Sequence, residues 1–231
     1  MLITPIRLLL ISFLIAASPA SADNHETLED TLLRLMAGLS GAFDSGVQLR
    51  AETLSNAPAD MVHQHIYRSF TFIDTPDVGK NVFVVTLRDD GPEGRIDMVE
   101  FQVWTLTVNA EQNAVRMAPR RFNTPEDYVT MTRNAAAFNN LKAADLVPSS
   151  GPAGCAILWT PLSNGLIHGV SEKPCLGPIR DAMLSWEWTY ILSDTALWMS
   201  FAGRNDSGKI VFGRQDQLPW RLDKVSQGFA P

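Results

Sequence analysis

Apolar residues recur at helical spacing in one stretch near the start of the chain, where Leu28, Leu32, Leu35, Met36 and Leu39 line one face of the segment Thr27 to Phe43. This predicts an amphipathic helix, weakened late by Gly38 and Gly41 and ended by Asp44-Ser45-Gly46. From Met61 the period changes to two. Strands are predicted at His63 to Phe72, Asn81 to Arg88, Ile96 to Val108 and Ala114 to Phe122, each rich in β-branched and aromatic residues and bounded by Asp, Gly, Pro or Asn. A second helix is predicted from Thr124-Pro125-Glu126-Asp127, which places a capping residue, a proline and two acids at a helix start, and it extends to about Ala137.

A second β series follows at Gly154 to Thr160, Gly165 to Ser171, Met183 to Leu192, Leu197 to Gly203, Ile210 to Arg214 and Trp220 to Val225. Ser163-Asn164-Gly165 and Asn205-Asp206-Ser207-Gly208 are hairpin signals. About ten strands with two short helices predict a mainly β fold, a single antiparallel up-and-down β-barrel or calyx, because closure removes the unpaired edges of an open sheet.

The 231 residues are 45% hydrophobic and 19% charged, which excludes a disordered or coiled-coil chain and suits one domain. A net charge of -6 argues against nucleic acid or an anionic membrane surface as partner. Residues 1–22 have the parts of a secretory signal peptide: Arg7, the apolar run Leu8 to Ala17, and Ala20-Ser21-Ala22 for cleavage. The run is too short to span a bilayer, so no transmembrane anchor is expected. The expected product is a secreted, periplasmic chain whose single barrel domain occupies 23–231.

Export decides how the two cysteines are read. In an oxidising compartment Cys155 and Cys175 are expected to form a disulfide, because the predicted hairpin brings them level. A metal site is not expected, since two thiols twenty residues apart leave a tetrahedral site half empty, and His63 and His65 lack a third ligand nearby. No catalytic signature of the GxSxG, HExxH or Walker kind is present, so no catalytic residue is assigned.

Trp104, Trp159, Trp186, Trp188 and Trp198 fall within predicted strands. A barrel lined this way suits a small hydrophobic ligand, oriented by sparse polar groups. The candidate ligand-binding residues are Tyr67, Arg68, Glu100, Gln102, Trp104 and Arg116. The competing expectation is that the aromatics only fill the core.

Short motifs follow one another in a fixed order: Leu32-Leu33-Arg34-Leu35-Met36-Ala37-Gly38, then Gly41-Ala42-Phe43-Asp44-Ser45-Gly46-Val47-Gln48, Ala144-Asp145-Leu146 before Gly154-Cys155, Gly169 and Cys175, and the Asp206-Ser207-Gly208 turn. In this order they resemble the CpcT/CpeT family of phycobilin lyases, and the resemblance has consequences for fold and chemistry. It implies a ten-stranded calyx that holds an open-chain tetrapyrrole (bilin) and delivers it to a cysteine of an acceptor phycobiliprotein, with no cofactor tightly bound. The chain departs from the family where that chemistry lies. Thr86-Leu87 stands where a Glu-Gln pair is expected, and Val99-Glu100-Phe101-Gln102 replaces a Tyr-Arg-Gln-Arg stretch. The alternative is a non-enzymatic secreted calyx that binds another hydrophobic molecule or a protein partner. A lipocalin is disfavoured, because the Gly-x-Trp that opens that family's first strand is absent.

Overall fold

A computed structural model describes residues 26–149, 151–179 and 182–225. The expected signal peptide lies outside the described residues. Helix α1 (Leu28–Leu39) starts at a capping box in which Thr27 Oγ1 accepts from the Asp30 amide and the Asp30 carboxylate accepts from the Thr27 amide. It ends four residues earlier than its apolar stripe suggests. Gly41 turns the chain with φ +120°, and Gly41–Asp44 becomes strand β1 instead. Helix α2 (Gly46–Leu54) follows; it has no apolar stripe to betray it, because only Gly46 is buried.

The remaining strands are β2 (Ile66–Ile73), β3 (Val82–Asp89), β4 (Gln102–Asn109), β5 (Ala114–Phe122), β6 (Leu146–Pro148), β7 (Ile157–Pro161), β8 (Ile167–Ser171), β9 (Leu176–Ile179), β10 (Ala182–Leu192), β11 (Ala196–Arg204), β12 (Ile210–Gly213) and β13 (Trp220–Val225). Ten of them close a ring in chain order, β1-β2-β3-β4-β5-β7-β8-β10-β11-β13, entirely antiparallel. β1 closes it: Phe43 sits opposite Arg68 on one side and Lys224 on the other. The short β6, β9 and β12 extend the sheet at its rims. The barrel is therefore the antiparallel calyx expected from the period-two pattern.

Inward positions alternate along each strand and join one core that includes Phe70, Phe83, Val85, Trp104, Trp159, Trp186, Trp188 and Leu222. α1 plugs the end where β4 finishes and β5 begins, with Leu35 and Leu39 fully buried against that core. β3 is buried on both faces, because the segment after β5 folds back over the outside of the barrel. That segment holds α3 (Pro125–Val129) and short 3₁₀ turns, and it buries Phe122, Phe138, Leu141 and Leu146 with the outward Val82, Val84 and Val103. The expected helix to Ala137 is thus only five residues of α-helix. It breaks where apolar side chains face the sheet at irregular intervals rather than along one stripe.

Candidate ligand site inside the barrel

Strand parity decides which candidate residues share the interior. Arg68 lies between the inward Ile66 and Phe70 of β2 and is 1% exposed; Gln102 and Trp104 face inward from β4. Glu100, just before β4, reaches the same place, with its Oε2 accepting from Arg68 Nη2 at 3.1 Å. The guanidinium lies 4.8 Å from the Trp104 ring centroid and 5.6 Å from that of Phe70. Its Nη1 donates weakly to Met199 Sδ at 3.8 Å, and its Nε has no partner among the described residues.

Tyr67 and Arg116 do not join this cluster. Tyr67 alternates with Arg68 and faces outward. Arg116 alternates with the buried Val115 and Met117, and on the outer surface it makes a bidentate pair with Glu172. His63 and His65 precede β2 and part company as well. His63 binds Glu52 and His65 binds Asp44, at 2.6 and 2.8 Å. Among the described residues no cluster of three His, Cys, Asp or Glu could hold a metal ion.

The polar network extends from the charged pair to the rim. Trp104 Nε1 donates to Gln102 Oε1 at 2.6 Å, and Gln102 Nε2 donates to the Ala153 carbonyl at 2.9 Å. Trp188 Nε1 donates to the Pro152 carbonyl at 2.8 Å. A 3₁₀ turn, Gly151–Gly154, is thereby tied over the end of the barrel opposite α1. Cys155 and Cys175, expected to pair, form a disulfide just beyond this turn, with Cα atoms 5.6 Å apart.

Electrostatically the site is strained towards neutrality. Burial pushes the Glu100 carboxyl above the ordinary carboxylate range; the Arg68 charge opposes that push and Asp97 adds to it. Burial likewise drives the Tyr190 hydroxyl up to about 12, although Arg68 nearby pulls it down. Between Arg68, Glu100, Gln102, Trp104, Ala153 and Tyr190 remains a cavity of about 10 Å³. That is space for one water at most, against roughly 300–1,000 Å³ for sites that take drug-sized ligands.

Sequence reasoning missed Met199 and the Gly151–Gly154 turn, which reach the cluster from distant segments. A wider opening exists outside the barrel. A groove of about 780 Å³ runs between the loop before β4 and the end of α3, lined by Ile96, Met98, Val99 and Val129 with Arg88 and Arg95 at its side.

The architecture and site define a filled, lidded antiparallel calyx with the Arg68–Glu100 ion pair buried in it. The chain is similar to the CRL protein of Arabidopsis, with a TM-score of 0.59, 12% identity, and coverage of 86% of this chain and all of that one. It is also similar to the T-type phycobiliprotein lyase CpeT of Prochlorococcus phage P-HM1, with a TM-score of 0.46, 12% identity, and coverage of 84% and 97% of the two chains. No protein-family model and no curated protein sequence matches the chain.

Proposed function

We propose that this protein is a ligand-binding calyx that takes a flat conjugated carboxylic acid, of the open-chain tetrapyrrole class, at the Arg68 end of the barrel. The observation that carries the reading is the buried guanidinium lying against Trp104, with an unpartnered Nε and a single carboxylate partner that burial drives towards its neutral form. A ligand carboxylate can replace Glu100 on Arg68 while a conjugated ring stacks on the indole. Binding without transfer is favoured over lyase activity. The position where the family resemblance implies an acidic-amide pair holds the apolar Leu87, which packs into the barrel core. Uptake requires the Gly151–Gly154 turn to move, since the cavity beneath it is too small for such a ligand.

We further propose that the mature protein is exported to the periplasm after cleavage at Ala22. The disulfide is compatible with that compartment, and among the described residues no helix is long and apolar enough to cross a membrane. A second reading, in which an apolar molecule or a partner protein sits outside the barrel, is favoured by the external groove with its exposed Met98 and Val99.

Titration of the purified mature protein with phycocyanobilin, both oxidised and after reduction with dithiothreitol, tests these readings, a band in either form counting as binding. The expected result is a new visible absorption band that Arg68→Gln abolishes and Met98→Ser leaves intact. A band lost only in Met98→Ser moves the site to the external groove, and no band at all overturns ligand binding of this class. Covalent transfer to an acceptor phycobiliprotein cysteine would replace the binder with a lyase.

A further inference from the structure

We propose that the Cys155–Cys175 disulfide is a redox latch on the Gly151–Gly154 turn, and that its reduction by a dithiol opens the interior of the barrel. The inference rests on the reading of that interior as the binding site. Two hollows meet at this point. Outside lies a cleft of about 270 Å³, lined by Arg116, Pro119, Gly151, Cys155, Glu172 and Cys175 among others. Inside lies the small cavity with Arg68, and its wall also includes Pro119 and Cys155. The cysteine therefore belongs to the partition between the outer cleft and the buried charge.

The partition is held from three directions. From inside, Gln102 and Trp188 donate to the carbonyls of Ala153 and Pro152. From the rim, Gly151 and Gly177 pack so closely that a Cβ on Gly177 would meet the Gly151 Cα at 2.5 Å. The disulfide supplies the covalent tie. Its far end is fixed, because the Trp186 amide donates to the Cys175 carbonyl and the Trp186 indole donates to the Gly177 carbonyl. With the bridge intact, the turn is leashed to a segment hydrogen-bonded to β10. Without it, the hydrogen bonds from Gln102 and Trp188 and the packing of the turn against β9 and β5 remain, and such local contacts open far below the cost of global unfolding.

The chemistry balances with a dithiol as co-reactant. One thiolate of the dithiol attacks a sulfur of the bridge, forming a mixed disulfide and releasing the other cysteine as thiolate. The second dithiol thiolate then attacks the mixed disulfide. Cys155 and Cys175 each end as thiols after taking up a proton, and the dithiol ends as a disulfide, two electrons poorer.

Hydrogen–deuterium exchange of the wild-type protein, with and without dithiothreitol, tests the latch. The expected result is exchange at least tenfold faster at the amides of Gly151, Ala153, Gly154 and Cys155 after reduction, reversed by reoxidation, with β4 and β10 unchanged. Unchanged exchange at the turn overturns the proposal, and so does an equal increase in every strand, which marks the bridge as a general staple. Phycocyanobilin binding is then compared in the oxidised protein and in the Cys155→Ser/Cys175→Ser variant. Where that variant does not fold, natively reduced protein alkylated with iodoacetamide takes its place. Binding confined to the bridge-free forms supports the latch, and equal binding in oxidised protein overturns it. An opened turn with no binding in any form retains the latch and removes the interior ligand reading.

Discussion

Arg68 and Glu100 are joined by one hydrogen bond of 3.1 Å across the mouth of the barrel, and the two ends differ in their access to water: the arginine side chain is 1% exposed and the glutamate 14%. Loss of the arginine leaves a largely buried carboxylate without its counter-charge, whereas loss of both charges leaves only a packing defect. Arg68→Met is therefore expected to destabilise the protein by about 3 kcal/mol at neutral pH, with Glu100→Gln in the same chain recovering part of that. Urea unfolding of both variants decides this. A double variant less stable than Arg68→Met would contradict it.

The same pair sets a pH dependence of unusual sign. Glu100 binds its proton more tightly folded than unfolded, so the stability it confers is complete below its ordinary value of 4.5 and is lost as pH rises through the raised folded value. Glu172 and Glu187 are the reverse case. Hydrogen bonds from Arg116 and Arg204 hold their carboxyls low, so their contribution is present above 4.5 and disappears as pH falls through the lowered values. Relative to wild type, Glu100→Gln should thus gain stability as pH rises above 4.5, and Glu172→Gln should lose less on acidification below it. Parallel unfolding midpoints against pH for the wild type and the Glu100→Gln variant would refute the first expectation.

The barrel was legible in the chain because half-buried strands write a period of two, and β2, β5 and β10 carry it over most of their length. Four-residue strands such as β1 and β9 are too short to show a period, and β1 was hidden behind the helical spacing of α1. α2 was invisible for the opposite reason, since it lies on the surface with no apolar stripe. Of the candidate site, Arg68, Gln102 and Trp104 were readable, because they share parity with Phe70 and Leu106. The same parity, applied to Tyr67 and Arg116, separates them from the interior. Met199 and the Gly151–Gly154 turn join the site only through the closure of the ring and the rim contacts, and no local pattern encodes either.

Close packing of the filled interior makes Gly169 intolerant of a side chain. A Cβ there would lie 2.9 Å from two ring atoms of Trp159 and 3.0 Å from Ile157 Cγ2, all within the barrel core. Trp159 is fully buried against Tyr190 at 5.5 Å and has no free direction in which to yield. Gly169→Ala is expected to cost about 1–3 kcal/mol through overpacking, and a second substitution, Trp159→Leu, should make the alanine at 169 nearly neutral. Additive effects of the two changes in urea unfolding would show that the ring does yield.

The two histidines before β2 should behave very differently when removed. His63 is 2% exposed and joins three segments: its backbone amide and Nδ1 donate to the Glu52 carboxylate of α2, and its Nε2 lies 3.3 Å from the Leu218 carbonyl. Gln48 reinforces the same junction by donating to the Pro219 carbonyl and accepting from the Arg221 amide at the start of β13. Truncation at His63 strands a carboxylate and a carbonyl that are partly withdrawn from water, so His63→Ala should cost about 1–3 kcal/mol. It should also speed amide exchange in α2 and in the connection from Arg214 to Pro219. His65 pairs with Asp44 where both side chains keep about a quarter of their surface in water, at 26% and 22%. Screening limits such pairs to roughly 0–1 kcal/mol, so His65→Ala should leave exchange in α2 unchanged. Equal losses from the two variants, or an unaltered α2 in His63→Ala, would mean that the junction is held by the Gln48 hydrogen bonds alone.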